Sequence, residues 1–229
     1  AGFDNINLDI MYGLPGQATA GAMRDLYAAI GLGPEHISWY HLTLEPNTVF
    51  HARPPRGLPD EDATSDIQNG GQQLLGERGY QQYEVSAYAR DGRQCRHNLN
   101  YWTYGDYLAA GAGAHGKITD AAGTWRYVKP AHPKQYIETL ESGDIGAGLR
   151  PVAGPELVFE YLLNTVRLQD DISALDFSAR TGEPADMLRA RLRQPLAAGL
   201  MESTGDNSWR VTALGRRFLN DLQAEFLPE

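Results

Sequence analysis

Cysteine is almost absent from this sequence of 229 residues, which contains only Cys95. A single thiol cannot form an internal disulfide, and this fits the reducing environment of the cytoplasm. Long apolar runs are also lacking, because no window approaches the length of a membrane span and no signal peptide opens the sequence. We therefore expect a cytoplasmic protein with no membrane span.

Positive charge is scarce as well. Lysine and arginine number 20 against 29 acidic residues, which leaves a formal net charge of -9. Binding to phosphates needs a basic face, so this balance argues against broad nucleic-acid affinity. The hydrophobic content of 42% is ordinary for a soluble globular protein, and the length allows one large or two small domains.

An initiator methionine is missing too, since the sequence opens with Ala1 and enters a strand pattern almost at once. Apolar side chains alternate over residues 6–12, which predicts a strand. If that strand belongs to a parallel sheet, it needs covered faces and neighbouring strands. We therefore expect an N-terminal portion of the fold to precede residue 1.

Strand and helix patterns alternate along the first part of the sequence. Strands are predicted at residues 6–12, 37–44 and 80–88, and helices at residues 19–30 and 60–78. Asp60 has the residue type and position of an N-cap. Alternating strands and helices are typical of parallel βαβ units, in which ligands bind beyond the carboxyl ends of the strands. The fold class predicted here is α/β.

The composition changes after a predicted strand at residues 124–128 and a helix at residues 132–141, because glycine and proline then indicate a linker. Beyond the linker, helices are predicted at residues 156–168, 173–180, 185–198 and 214–226, with a hairpin at residues 200–212. This order is typical of a winged-helix-like module. The predicted organisation is an α/β domain at residues 1–141, a linker at 142–154 and the module at 155–229.

One stretch, residues 93–117, concentrates the chemistry of the sequence. It holds His97 and His115, a glycine and alanine run, and the aromatic residues Tyr101, Trp102, Tyr104 and Tyr107. Imidazole is a good iron ligand, aromatic faces suit a flat macrocycle, and glycine lets a backbone approach a ligand closely. The stretch therefore indicates a pocket for a planar cofactor. The alternative is ordinary core packing, against which the interleaved polar residues count.

Two features of the first predicted strand and its turn have open interpretations. Asp9 is a carboxylate inside an otherwise apolar strand, where burial requires hydrogen-bond donors. A ribose diol would supply such donors, and so would an arginine or backbone amides. The glycine-rich turn at residues 13–17 fits a backbone nest for a ligand as well as a plain turn.

Four segments together resemble the radical SAM family of oxygen-independent coproporphyrinogen oxidases, namely residues 7–17, 42–48, 79–89 and 95–116. The specific part is the string His-Asn-x-x-Tyr-Trp, which begins at His97. This string makes the sequence most similar to the HemW-type haem chaperones within that family. The resemblance covers nearly the whole chain and includes a C-terminal module of the same kind.

The resemblance implies the C-terminal part of a partial (β/α) radical SAM barrel, followed by the winged-helix-like module. In the family, S-adenosylmethionine caps a [4Fe-4S] cluster that is held by three cysteines of a Cys-x-x-x-Cys-x-x-Cys motif. That motif is absent here, and Cys95 alone cannot replace three thiolates. The departure supports the expectation that the N-terminal half of the barrel is missing, so cluster binding is not expected from this chain alone.

The resemblance also implies a nucleotide site. Asp9 matches a carboxylate that binds the ribose of S-adenosylmethionine. The backbone near Met11 and Thr43 matches contacts to the adenine.

A haem site is implied in the same way. His97, Asn98, Tyr101 and Trp102 match the haem-binding motif of the chaperone branch, with His97 as the axial iron ligand. Its imidazole would coordinate through a neutral nitrogen, and the ring's other N–H would need an acceptor. Tyr101 and Trp102 would stack on the porphyrin or wall it. His115 is a second candidate ligand.

The function implied by this resemblance is that of a cytoplasmic protein that binds haem and transfers it to an acceptor apoprotein. The expected acceptors include membrane-associated proteins. The alternative is a radical SAM oxidase that decarboxylates two propionate groups of coproporphyrinogen III. A substrate that lacks iron has no use for an axial ligand, which favours the first function. A remote alternative is a winged-helix DNA-binding regulator, against which the acidic balance counts.

Overall fold

The structure is a computed structural model that describes residues 2–143 and 148–228. The chain divides into two compact units, Ala1–Cys95 and Arg96–Glu229. Residues 144–147 of the predicted linker lie outside the described residues. The predicted boundaries of the α/β domain and the C-terminal module stay predictions.

The first unit contains a four-stranded sheet with helices α1 and α3 in contact with each other. Its elements are β1 (Asn7–Tyr12), α1 (Thr19–Gly31), β2 (His36–His41), α2 (Val49–Ala52), α3 (Glu61–Glu77), β3 (Gln81–Glu84) and β4 (Ala87–Ala89). The predicted first strand and both predicted helices are confirmed. Asp60 caps α3 as predicted, since its carboxylate accepts a hydrogen bond from the amide of Ala63 at 2.9 Å.

The core of the first unit lies between its sheet and its long helices. Strands β1 and β2 are parallel, with Asn7 opposite His36 and Tyr12 opposite His41. Apolar side chains from both layers form one buried cluster, which includes Tyr12, Leu26, Ile37, Trp39, Ile67 and Leu75. Burial of large apolar side chains supplies the main stabilisation of such a layer. The parallel pairing also places the carboxyl ends of the two strands side by side.

The prediction of one continuous strand at residues 80–88 is wrong. The segment is an antiparallel hairpin, in which β3 pairs with β4 and β4 pairs antiparallel with β2. Glu84 makes the turn, because its carboxylate accepts hydrogen bonds from the amide of Ser86 at 3.1 Å and from its hydroxyl at 3.0 Å. Only 3% of Glu84 is exposed, so this turn is made by a buried carboxylate. A side chain that bonds to the backbone two residues ahead competes with strand pairing.

Two adjacent glycines on α3 give a matched stability test. A Cβ atom at Gly71 would lie 1.8 Å from Cη2 of Trp39, whereas one at Gly70 would lie 3.6 Å from the sulfur of Met23. We expect Gly71→Ala to destabilise the protein by about 1–3 kcal/mol or more through overpacking. Gly70→Ala should be neutral or stabilising by up to about 1 kcal/mol, because alanine is the better helix former. Urea unfolding measures both, and equal effects would contradict the packing described.

The second unit contains two antiparallel three-stranded sheets, with strand orders β5-β6-β7 and β8-β10-β9. Its first elements are α4 (Arg96–Trp102), β5 (His115–Asp120), β6 (Gly123–Val128), α5 (Pro133–Glu141) and β7 (Arg150–Val152). The strand β6 and the helix α5 are confirmed predictions. The sequence patterns did not predict α4, β5 or β7.

The remaining elements follow the predicted order of a winged-helix-like module. They are α6 (Gly154–Thr165), β8 (Ile172–Ser173), α7 (Ala174–Thr181), α8 (Ala185–Ala197), β9 (Met201–Gly205), β10 (Ser208–Val211), α9 (Ala213–Arg217) and α10 (Leu219–Ala224). The predicted last helix is broken into α9 and α10 at Phe218, whose ψ of 44° is not helical.

Local capping explains where helix α7 begins and ends. The hydroxyl of Ser173 accepts a hydrogen bond from the amide of Asp176 at 3.0 Å and caps α7. Gly182 ends that helix with a φ of 74°, a left-handed conformation that favours glycine. Large apolar side chains then close one core, which includes Tyr161, Leu162, Phe177, Leu188, Leu192, Leu222 and Phe226.

Across residues 2–143 and 148–228, every helix is too short or too polar to cross a lipid bilayer.

Candidate functional site

The loops that follow β1 and β2 line a cavity of about 270 Å³ in the first unit. Its walls include Gly13, His41, Thr43 and Leu58. Ligand pockets typically measure about 300–1,000 Å³, so this cavity suits one ring system more than a whole nucleotide. Thr43 lies in the wall of this cavity, and its contact with adenine stays a prediction. Met11 lies on β1 opposite Tyr40 and does not contribute to the cavity wall.

The turn after β1 is built around Gly13 and Gln17. The amide oxygen of Gln17 accepts hydrogen bonds from the backbone of Gly13 at 2.9 Å and of Leu14 at 3.3 Å. Its amide nitrogen donates to Asp25 at 2.9 Å. Because the chain itself uses these backbone donors, the structure favours a plain turn over a ligand nest. Gly13 is required sterically, since a Cβ there would lie 2.4 Å from the His41 ring.

Asp9 is exposed on β1, so its carboxylate does not need the hydrogen-bond donors that burial would require. It accepts a hydrogen bond from the side-chain amide of Asn7 at 2.8 Å. That bond directs the amide oxygen of Asn7 towards Nδ1 of His36 at 2.6 Å, and Nε2 of His36 lies 2.7 Å from the Tyr83 hydroxyl. The chain of bonds assigns the proton of the neutral imidazole to Nδ1. The hydrogen bond from Asn7 therefore fixes the orientation of the Asp9 carboxylate and leaves its second oxygen available.

His36 makes the stability of the protein depend on pH. Burial lowers the pKa of His36 below 6.5, although the charge of Asp9 opposes the shift. A histidine with a lowered folded-state pKa takes up its proton in the unfolded state first, so stability is lost as pH falls through about 6.5. We expect the midpoint of thermal unfolding to be lower at about pH 5 than at about pH 7.5, and His36→Gln to reduce that difference. An unchanged difference would contradict the assignment of His36 as a buried neutral group.

The motif His-Asn-x-x-Tyr-Trp lies on the short helix α4. Residues four apart share a helical face, so the spacing produces two neighbouring stripes. One stripe contains His97 and Tyr101, whose rings meet edge to face with centroids 4.8 Å apart. The other contains Asn98 and Trp102. His97 is exposed, which leaves its imidazole accessible to a ligand.

Tyr101 and Trp102 have different surroundings. The Tyr101 ring packs against Tyr107 with centroids 4.3 Å apart, so protein covers part of it. The Trp102 ring lies under the guanidinium of Arg167 at 4.3 Å. Its indole nitrogen is buried and has no hydrogen-bond partner within the described part of the chain. Of the two aromatic side chains, Tyr101 is the one next to His97.

Gly116, at the end of the glycine and alanine run, allows close packing in the second unit. A Cβ at Gly116 would lie 2.2 Å from the ring of Tyr127, and the Tyr127 hydroxyl accepts a hydrogen bond from the amide of Ala109 at 2.9 Å. His115 is exposed at the start of β5, opposite Val128. The sequence predicts that glycine in this segment lets the backbone approach a ligand. At Gly116, the structure gives a different reason for glycine, which is close packing with Tyr127.

Sequence patterns missed a buried polar network beside α4. Lys117 has 1% of its side chain exposed, and its ammonium donates to Asp106 at 2.7 Å, to the carbonyl of Tyr104 at 3.1 Å and to Thr119 at 2.9 Å. Burial lowers the pKa of Lys117 although Asp106 opposes the shift. For Asp106, burial would raise the pKa, but hydrogen bonds from Lys117 and Thr119 outweigh it and the pKa is lowered.

A second ion pair adjoins this network. The guanidinium of Arg126 donates from Nε at 3.0 Å and from Nη2 at 2.8 Å to the same carboxylate oxygen of Glu160, and hydrogen bonds between ionised groups are stronger than neutral ones. Glu160 also accepts from the hydroxyl of Tyr104 at 2.8 Å. Arg126 reaches a further aromatic residue, because its Nη1 donates to the Tyr107 hydroxyl. The members of this network lie far apart in the sequence. Polar residues among aromatic side chains are the one sequence feature that could have indicated it.

The residues present do not fit an iron–sulfur cluster. Such a cluster needs several thiolates, and Cys95 is the only cysteine in the sequence. Within residues 2–143 and 148–228, no group of three histidine, cysteine, aspartate or glutamate side chains could hold a metal ion. A single axial imidazole is a different requirement, which an exposed histidine such as His97 meets.

Comparison with solved structures defines the class of fold. The chain is similar to the Escherichia coli coproporphyrinogen III oxidase HemN, a radical SAM enzyme, with a TM-score of 0.71 over 98% of this chain and 55% of that one. Sequence identity is 19%, so the likeness concerns the fold. No protein-family model matches the chain. The fold is therefore that of the radical SAM coproporphyrinogen oxidases.

Curated sequence relatives named as haem chaperones extend this comparison. The chain is 45% identical to the haem chaperone HemW of Escherichia coli over its whole length, 44% identical to that of Haemophilus influenzae, and 31% identical to that of Bacillus subtilis. These relatives confirm the resemblance to the HemW-type branch. The chain spans 59%, 58% and 60% of their respective lengths.

Proposed function

We propose that this protein binds haem through His97 and passes it to an acceptor apoprotein. The observation that carries this proposal is the accessible imidazole on α4, edge to face with Tyr101 at 4.8 Å. Histidine is a common axial ligand of haem iron, and an aromatic neighbour suits the apolar macrocycle. The sequence relatives named haem chaperones support the same function.

The exposure of His97 suits transfer rather than permanent storage. A resident cofactor is generally enclosed in a pocket that covers most of its surface. A carrier must release its cargo, so an imidazole at an open face allows haem to arrive and to leave. Asn98, Trp102 and His115 stay candidate members of this site, and Tyr101 is the neighbour that supports the imidazole directly.

We further propose that the first unit contributes to the binding of S-adenosylmethionine. The cavity at Thr43 would take the adenine, Asp9 would accept hydrogen bonds from the ribose hydroxyls, and Met11 would contribute through its backbone on β1. Asp9 is suited to that role because Asn7 holds one carboxylate oxygen at 2.8 Å and leaves the other available. The [4Fe-4S] cluster of the family would require cysteines that this chain does not contain.

The proposed setting is the cytoplasm, which the single free cysteine fits. The proposed partner is a haem-acceptor apoprotein, including one bound to a membrane. Nucleic acid is not a proposed partner, because the net charge is -9.

Ferric haem titrated into the purified protein tests the proposal. We expect a saturable shift of the Soret band and transfer of the bound haem to an added apo-globin, which serves as the probe acceptor. Absence of the Soret shift would contradict haem binding. The alternative oxidase function needs the cluster, so it is tested on a form of the protein that also carries the cluster cysteines. Anaerobic conversion of coproporphyrinogen III to protoporphyrinogen IX by that form, with reductant and S-adenosylmethionine, would support the alternative.

A further inference from the structure

A continuous series of contacts leads from α6 to the imidazole on α4. Glu160, on α6, pairs with Arg126 on β6 at 2.8 Å. Arg126 donates to the hydroxyl of Tyr107, and its guanidinium carbon lies 5.6 Å from the centre of that ring. Tyr107 then packs against Tyr101 at 4.3 Å, and Tyr101 meets His97 at 4.8 Å.

Three members of this series, Tyr107, Arg126 and Glu160, are held in place by hydrogen bonds or ion pairs. The backbone of Tyr107 exchanges two hydrogen bonds with Lys117, at 2.9 Å and 3.0 Å, so its Cα position is fixed to β5. Arg126 and Glu160 have only 21% and 16% of their side chains exposed. Burial would lower the pKa of Arg126, but Glu160 outweighs it and the pKa is raised, so the guanidinium stays charged. The ring of Tyr107 is therefore fixed at its hydroxyl and at its backbone.

An exposed histidine on a two-turn helix would otherwise sample several rotamers, and ordering it for a ligand costs side-chain entropy. The ring of Tyr101, held against the His97 imidazole, reduces the number of orientations that the imidazole can adopt. The residues behind a metal ligand commonly change metal affinity by about 10–100-fold when they are replaced.

We propose that Arg126 and Tyr107 are positioning residues of the haem site, which hold the His97 imidazole in its ligating orientation through the ring of Tyr101. This proposal rests on the proposed haem binding by His97. Neither residue touches the iron. Glu160 supports them by fixing the guanidinium.

The test compares Tyr107→Phe with a matched control, Tyr136→Phe. Tyr107→Phe keeps the ring but removes the hydroxyl that accepts from Arg126. Tyr136→Phe also removes one hydroxyl, which accepts from the amide of Gly111 at 3.2 Å. We expect Tyr107→Phe to weaken ferric haem binding by about tenfold and to broaden the low-spin electron paramagnetic resonance signal of the bound iron. Tyr136→Phe should match the wild type in both respects.

A coupling measurement separates positioning from general stability. In a His97→Ala background, Tyr107→Phe should have no further effect on the residual haem binding, since no imidazole is left to position. An equal loss of affinity in both backgrounds would overturn the proposal. Arg126→Lys is a second variant, which retains the charge beside Glu160 but lacks the planar fork that reaches Tyr107. Wild-type affinity and spectra in either folded variant would overturn the proposal as well.

The outcomes distinguish this inference from the proposed function. If the wild-type protein gives no Soret shift with ferric haem, the proposed function fails and the positioning proposal fails with it. If the wild type binds haem and His97→Ala weakens binding, but Tyr107→Phe binds as the wild type does, only the positioning proposal is overturned.

Discussion

Replacement of His97 by alanine is expected to weaken ferric haem binding by at least about tenfold, which corresponds to about 1.4 kcal/mol. The variant removes the proposed axial ligand and leaves the apolar surroundings, so weak binding without an imidazole-ligated Soret band should persist. The measurement is a spectroscopic titration in which both the dissociation constant and the position of the Soret band are recorded. Thermal unfolding should be nearly unchanged, because the side chain is exposed.

Two other exposed histidines serve as comparisons for this result. His132 lies before α5 and makes no side-chain capping hydrogen bond, so His132→Ala should bind haem as the wild type does. His115→Ala tests the second candidate ligand. If His132→Ala weakened binding as much as His97→Ala, the effect would come from nonspecific histidine contacts and the assigned site would be wrong.

The second large effect is expected at the ion pair between buried Lys117 and partly exposed Asp106. Asp106→Asn removes the counter-charge of an ammonium whose side chain is 1% exposed. Removal of one partner from a fully buried ion pair costs about 3–5 kcal/mol. Since Asp106 itself is 44% exposed, solvent moderates the change, and a loss of about 2 kcal/mol is expected. Urea unfolding at neutral pH measures it.

A Lys117→Met background supplies the control for this prediction. Without the buried charge, Asp106→Asn should cost much less, because no unpaired ammonium remains. Because the pKa of Lys117 in the folded state is lowered from 10.5, the folded state loses its proton at a lower pH than the unfolded state does. Stability therefore rises with pH as the pH approaches 10.5. The Asp106→Asn variant should therefore regain stability under alkaline conditions. Equal losses in both backgrounds would show that the charge pair is not the cause.

Local patterns were sufficient for several elements of the fold. The helix α3 was predicted because its apolar spacing and the carboxylate of Asp60 both mark it, and the cap is present at 2.9 Å. The order of helices and hairpin in the C-terminal module was readable for the same reason, since glycine turns and apolar periods agree there. Such features depend on neighbours in the sequence, so they need no knowledge of the tertiary structure.

The features that were missed depend on contacts between distant or unusual neighbours. The segment at residues 80–88 has the composition of one strand, but the carboxylate of Glu84 binds the backbone of Ser86 and reverses the chain. The strand around Asp9 is apolar in sequence, and this pattern did not reveal that the Asp9 side of β1 is exposed. Pattern reasoning specifies which residue types alternate and not which face another element covers.

The candidate haem site also combines residues that the sequence predicted with residues that only the structure revealed. The sequence supplied His97 and Tyr101 through the resemblance of their motif to the haem-binding motif of the chaperone branch, and the structure places both residues on α4. It did not supply Tyr107, Arg126 or Glu160 as their support. That support arises only when β6 and α6 come together, which side-chain spacing within one segment cannot reveal.

Anomalous diffraction at the iron edge, from crystals of the protein loaded with ferric haem, tests the haem site most directly. We predict a single strong iron peak at coordination distance from an imidazole nitrogen of His97, with Tyr101 beside the porphyrin. Iron bound at another residue, or haem lying on the surface with the His97 imidazole uncoordinated, would contradict the proposed site.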